Sequence, residues 1–285
     1  MKKATMIKSI LTMMLFISTQ TIFSQAKKTS GYAAVNNQKI YYEIYGEGKP
    51  LLLLHGAYMT IEMNWSQLIP ELSKTRKVIA LEMQGHGRTT DNERPLSLEA
   101  MANDAAQTLK YLKVDSADVI GYSLGGTVAL QLAIQEPLLI NKMVIISSTY
   151  KSAGWLPQIR NAFQTFKPEF FDGTPLKSGY ESVAPDPKHW HSFVAKMIEL
   201  TKKEFDLGEQ SIKAIKSPVL LIMGDNDGVD IEHKASFYKL LGGDVSGDMA
   251  GLPKSQLAIV PASSHVSLMM KTDVILSLVK PFLGL

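Results

Sequence analysis

The sequence predicts an α/β fold built on a mostly parallel sheet, and three observations predict it. Short, wholly apolar runs recur along the chain: Leu51–Leu54, Val78–Leu81, Val119–Ile120, Met143–Ile146, Val219–Met223 and Leu257–Val260. Strands buried on both faces look like this, because helices cover both sides of a parallel sheet. Helix-length segments lie between the runs, and such alternation of strand and helix marks that layered arrangement. The third observation is an interruption. From Tyr150 to about Ser211 there is no buried-strand run, but there are Trp155, Phe163, Phe166, Phe170, Phe171, Trp190 and Phe193. This stretch, about residues 150–211, reads as a mostly helical lid insertion over the carboxyl edge of the sheet, where ligands bind in such folds.

The elements follow in order. Lys2, Lys3 and Lys8 give a basic start, Ile10 to Phe23 is apolar with scattered Ser and Thr, and Ser24, Gln25 and Ala26 are small or polar. That order is expected of a secretory signal over residues 1–24, with export to the periplasm or the medium. An anchor helix fits less well, since ~14 apolar residues are short for a span of ~20. Residues 25–285 then form one domain, an ordinary size for a single α/β unit. From Gly31 the pattern is strand-like, and Lys39–Tyr45 is rich in aromatic and β-branched residues before Gly46. Between Ser97 and Leu112, Leu98, Met101, Ala105 and Leu109 recur at helical spacing, with Ser97 placed as N-cap. Leu124–Ile134 is a second helix, stopped by Pro137.

Composition excludes several classes. With 45% hydrophobic and 20% charged residues the chain is globular rather than disordered or fibrous. The absence of cysteine removes disulfides, thiol catalysis and cysteine-based zinc sites. The formal charge of +3 equals the contribution of Lys2, Lys3 and Lys8, so the rest of the chain is balanced. No nucleic-acid partner is expected, no membrane partner once the signal is removed, and no metal or cofactor.

The chemistry centres on Val119-Ile120-Gly121-Tyr122-Ser123-Leu124-Gly125-Gly126. A buried strand runs into Gly-x-Ser-x-Gly and straight into a helix, a sharp turn that pushes the serine out over the sheet edge. A serine hydroxyl is a poor nucleophile and needs a base in reach, itself oriented by an acid. Of the six histidines, His265 alone follows the last buried strand, after Pro261-Ala262-Ser263-Ser264. Val219–Met223 opens into Gly224-Asp225-Asn226-Asp227, so one of the two aspartates can serve as the acid and the other as a turn residue. The order Ser, Asp, His is that of a strand-end triad. Oxyanion donors are expected from the backbone N–H groups of Ala57 and Leu124, with His55 holding its loop rather than moving protons. Tyr58, Met59 and Tyr122 are candidate substrate-binding side chains.

Over essentially the whole of residues 25–285 the chain resembles the α/β-hydrolase superfamily. Leu51–Gly56, Trp65, Ile69-Pro70, Val78–Leu81, Gly85-His86-Gly87-Arg88-Thr89, the Ser123 turn, Gly224–Asp227 and His265 follow its pattern in order. The resemblance implies the α/β-hydrolase fold, with a mostly parallel eight-stranded sheet flanked by helices. It also implies Ser123 as nucleophile, Asp227 as acid and His265 as base. Glu82 departs from it, standing where many relatives have Asp. Relatives that open epoxides or displace halide carry Asp at the turn, so the serine points to hydrolysis of a carboxylic ester or lactone through an acyl-enzyme, with a macrolide-type lactone as one version. A perhydrolase, a C–C hydrolase or a lyase on the same triad are the alternatives, as is a ligand-binding module without turnover.

Overall fold

A computed structural model of the chain describes residues 28–285, so the expected export signal lies outside the described residues. Eight strands, β1 (Thr29–Val35), β2 (Gln38–Tyr45), β3 (Lys49–Leu54), β4 (Arg76–Leu81), β5 (Ala117–Tyr122), β6 (Ile140–Ile146), β7 (Val219–Gly224) and β8 (Gln256–Val260), form one sheet. Their order is β1-β2-β4-β3-β5-β6-β7-β8. β1 and β2 pair antiparallel at one edge, and β4 onward run parallel. This is the α/β-hydrolase architecture that the resemblance implies.

The apolar runs become strands because helices pack on both faces. One face carries α1 (Ile61–Trp65), α2 (Ile69–Leu72), α11 (His265–Met269) and α12 (Thr272–Leu283); the other carries α3 (Leu98–Tyr111) and α4 (Leu124–Gln135). Side chains alternate between them: Leu51 and Leu53 join the α1–α2–α12 core, Leu52 and Leu54 the α3–α4 core. Burying each leucine contributes about 1.5–3 kcal/mol, which is why Leu51–Leu54 holds no polar residue on either face. Ser97 caps α3 by accepting from the N–H of Ala100, as its position predicts.

The insertion leaves the sheet after β6 and returns at β7. It holds α5 (Pro157–Thr165), α6 (Pro175–Glu181), α7 (Trp190–Lys202) and α8 (Glu209–Ala214), with short 3₁₀ turns at Ser152–Gly154, Pro168–Phe171 and Pro187–His189. Pro157, Pro168, Pro175 and Pro187 each open an element, in the first turn, where a missing N–H forfeits no intrahelical bond. α7 ties the insertion to the core through Trp190, Phe193, Val194, Met197 and Ile198. α9 (Ile231–Leu240) and α10 (Gly247–Ala250) connect β7 to β8. No described helix is long and apolar enough to cross a membrane.

The chain runs from β3 outward to β4, then crosses back past β3 to β5 and continues in the opposite direction to β6, β7 and β8. Such a reversal opens a crevice at the carboxyl ends of the strands. The loop after β3 and the turn after β5 face one another across it.

Candidate active site

Ser123 follows β5 with φ 53° and ψ −118°, a left-handed backbone that non-glycine residues rarely adopt. The turn stays sharp because α4 lies hard against its neighbours. A Cβ at Gly125 would stand 2.0 Å from the Leu54 carbonyl oxygen, and one at Gly121 would stand 2.4 Å from that of Gly125. Glycine at both positions lets α4 start directly under Ser123 and brings the positive end of its dipole there.

The sheet then brings three distant residues together. Ser123 Oγ is 3.0 Å from His265 Nε2, and His265 Nδ1 is 3.0 Å from Asp227 Oδ1. A carboxylate only accepts, so Nδ1 carries the proton and Nε2 is free to accept from the serine hydroxyl. Burial works against the ionised carboxyl of Asp227, but the hydrogen bond and charge of His265 outweigh it and hold the group below the usual carboxylate range. Asp227 is therefore an anion at neutral pH, as a residue orienting a base must be.

Asp225 does something else. Its two oxygens accept from the N–H groups of Ala262 and Ser263, each at 2.9 Å, and those bonds pull its pKa down to about 2. It clamps the loop that delivers His265, and Ser264 caps α11 so that His265 stands at its first position. Tyr122 supports the same residue from below: its hydroxyl donates to the His265 carbonyl at 3.0 Å and its ring lies 5.2 Å from the imidazole. Its side chain is buried in the α1–α12 core, where strand alternation sends it under the site. Met59 is half-buried and packs at the margin of that same core.

The loop after β3 presents the anion-binding side. His55 accepts from the Met83 N–H through Nε2 and so donates through Nδ1 to the Gly56 carbonyl. Burial pushes its pKa down to about 4 and keeps it neutral. Asn64 accepts from the Gly56 N–H at 2.7 Å, a contact with no local sequence signal. Held from both sides, this loop and the start of α4 leave the N–H groups of Ala57 and Leu124 without an acceptor among the described residues. Two such donors beside a nucleophile are what a tetrahedral oxyanion requires.

Glu82, the departure from the family pattern, is fully buried. It accepts from the N–H groups of Ile61 and Arg88 and pairs with the Arg88 guanidinium. These contacts fasten the loop after β4 to the start of α1. Burial raises its pKa to about 7 against the pull of Arg88.

The insertion closes over the triad with aromatic rings. Trp155 lies 5.4 Å from the His265 ring, Phe163 lies 6.0 Å from Trp155, Phe166 lies 5.6 Å from Phe163, and Phe171 lies 5.5 Å from Phe166. Phe171 then meets Tyr58 at 4.7 Å, so an arc of rings runs from the base to the oxyanion loop. Leu156 fixes one end by donating its N–H to the Gly228 carbonyl at 2.9 Å. Phe170 points away and is exposed, since it sits on the outer side of its 3₁₀ turn.

A family model described as "alpha/beta hydrolase fold" matches residues 49–184. The chain is 37% identical to a 2-hydroxymuconate semialdehyde hydrolase of a Pseudomonas species over 109 residues, 36% of this chain and 38% of that protein. It is 30% identical to a 2-hydroxy-6-oxo-2,4-heptadienoate hydrolase of Pseudomonas putida over 179 residues, 61% of this chain and 58% of that one. The aligned segments thus span less than two thirds of either relative. Among solved structures, a 2-hydroxy-6-oxo-6-phenylhexa-2,4-dienoate hydrolase from a Rhodococcus species superposes with a TM-score of 0.71 at 18% identity, over 91% of this chain and all (100%) of that one. The enol-lactonase of Burkholderia xenovorans gives 0.68 at 20% identity, over 89% of this chain and 100% of that one.

Proposed function

We propose that the chain, which has the α/β-hydrolase fold and matches that family's model over residues 49–184, is a serine hydrolase that attacks a carbonyl carbon of a small organic substrate. The observation that carries this is the unbroken line Asp227–His265–Ser123 ending beside the free N–H groups of Ala57 and Leu124. As Ser123 Oγ bonds to the carbonyl carbon, His265 Nε2 takes its proton and the two N–H groups receive the oxyanion. The leaving group departs with the electron pair of the broken bond and collects that proton. Water then hydrolyses the acyl-Ser123 by the same route.

We read the bond broken as a carbon–carbon bond of a conjugated oxo-acid, ahead of the ester or lactone that the Ser123 turn alone suggests. The sequence relatives support this, being named for a hydroxymuconate semialdehyde and an oxo-dienoate. Once the enol of such a compound has shifted its proton to C5 and become the 2-oxo form, the electron pair of the broken C5–C6 bond leaves into the conjugated enolate, which takes up the proton, so no stronger leaving group is needed. A carboxylate on the substrate calls for a cation. We assign that role to Arg160 on α5, whose Nε is buried without a partner among the described residues and whose helix sets Phe163 against Trp155. Hydrolysis of an apolar ester or lactone is the second reading, favoured by the aromatic arc.

The test is a panel of a 2-hydroxy-6-oxo-dienoate, aryl esters of rising chain length and lactones, run on the wild type, Ser123→Ala and Arg160→Met. Ser123→Ala is expected to lose roughly 10⁴–10⁶-fold on every substrate that turns over. Arg160→Met is expected to raise KM for the dienoate alone. If esters turn over 100-fold faster than the dienoate and Arg160→Met is silent, the second reading replaces the first; activity of Ser123→Ala within tenfold of wild type overturns both.

A further inference from the structure

The triad uses one oxygen of Asp227 and leaves the other unexplained. Oδ1 faces His265 Nδ1 and, at 3.4 Å, the N–H of Val229. Oδ2 is buried and has no hydrogen-bond partner among the described residues. A buried carboxylate oxygen without a donor is costly, and native structures rarely leave one so. Lys234 is the nearest cation by charge, but its Nζ is committed to the Gly224 carbonyl at 2.7 Å.

A donor of matching need stands on the neighbouring strand end. Ser147 follows β6, its N–H donates to the Ile222 carbonyl of β7 at 2.9 Å, and Ile146 pairs with Ile222 in register. That level is where the chain turns into the loop bearing Asp227. Ser147 is fully buried, and its hydroxyl also lacks a partner among the described residues. Its φ is +49°, a backbone that glycine takes freely and that costs a side-chain-bearing residue. What serine offers at this position, and glycine would not, is the hydroxyl.

We propose that Ser147 is a positioning residue for the acid: its hydroxyl donates to Asp227 Oδ2 and fixes the carboxylate plane, so that Oδ1 stays aimed at His265. It touches no substrate and acts only through Asp227. Against the cost of burial, His265 does most to lower the Asp227 carboxyl; the Ser147 hydroxyl, short of a well-formed hydrogen bond, comes next, ahead of Lys234. This inference rests on the triad reading above, and its closing measurement is chosen to fail separately from it.

Ser147→Gly in the full chain removes the hydroxyl and relieves the backbone at once. It should leave Tm unchanged or higher while lowering kcat on the order of tenfold, the scale of one hydrogen bond to a charged group, with KM unmoved. In the Asp227→Asn background the same change should cost less than twofold, because its route is already cut. Ser147→Asn, which tolerates left-handed backbone and offers an N–H donor, should restore most of kcat. The His265 Nδ1–H proton resonance of the free protein should move in Ser147→Gly and return in Ser147→Asn, a readout that needs no substrate. An unmoved resonance, or an equal loss in the Asp227→Asn background, overturns the role of Ser147 whether or not Ser123 proves to be the nucleophile.

Discussion

Asp225 and Asp227 are two residues apart, chemically identical, and opposite in employment. Asp225 is exposed and spends both oxygens on the backbone of the His265 loop, whereas Asp227 is buried and spends one on the imidazole. Replacing a carboxylate by an amide therefore has different consequences at the two positions. Asp227→Asn cannot hold the required tautomer or stabilise an imidazolium, and kcat is expected to fall on the order of 10⁴-fold with little loss of Tm. Asp225→Asn keeps one oxygen to accept with and loses one loop contact, so a loss below about tenfold is expected, accompanied by a lower Tm. Steady-state kinetics and thermal melts on the two variants check this, and a more severe kinetic loss at Asp225 would exchange the assignments. The division between them was not legible from turn chemistry, which suits both residues equally; only the resemblance singled out Asp227. The period-two alternation of β5 puts Tyr122 under the site, where its hydroxyl holds the His265 carbonyl, a role that its place beside Ser123 does not announce.

At the scale of elements, the parallel strands were legible because burial on both faces forbids polar residues: Leu51–Leu54 and Met143–Ile146 have no other reading at that length. The edges were less so. β8 exposes Gln256 and Ile259 and fully buries only Val260, and β1 fully buries only Ala33. In the insertion, aromatic content announced packing without saying against what. The rings turn out to do both jobs that such residues can do: Trp190 and Phe193 are buried in the core with α7, while Trp155, Phe163, Phe166 and Phe171 form the arc between His265 and Tyr58. This separation predicts separable phenotypes. Phe163→Ala, Phe166→Ala and Phe171→Ala, each at a half-buried ring, should shift the ratio of large to small substrate hydrolysis several-fold, since pocket contacts discriminate by ~1–3 kcal/mol. Phe170→Ala, at an exposed ring, should leave that ratio alone. Three arc variants that lower Tm without moving the ratio would make the arc a packing device only.

The whole molecule carries a pH signature set by groups that it buries uncharged. His55, His86 and His233 are buried, and desolvation lowers all three: His55 and His233 to about 4, His86 well below 6.5. Unfolded, each histidine takes up a proton near 6.5, so the unfolded state binds more protons in the interval below that value. Stability therefore rises as pH climbs from about 4 to about 6.5. Glu82 acts with the opposite sign. Its folded pKa is raised from 4.5 to about 7, so its contribution is fully present below 4.5 and is lost as pH rises through about 7. Between 4.5 and 6.5 three histidines oppose one glutamate, and the net excess of two protons in the unfolded state gives a slope of at most roughly 3 kcal/mol per pH unit. Above 6.5 the histidine contribution is exhausted and only the decline from Glu82 remains. The stability of the wild type should accordingly peak near pH 6.5 and drop slightly toward pH 7.5, as read by urea unfolding across that range. Glu82→Gln sacrifices the pairing with Arg88, so its absolute stability can fall, but its profile should rise more steeply between pH 4.5 and 6.5 and lose the decline above. Parallel profiles for the two proteins would mean that Glu82 is ionised throughout, with Arg88 outweighing the cost of burial.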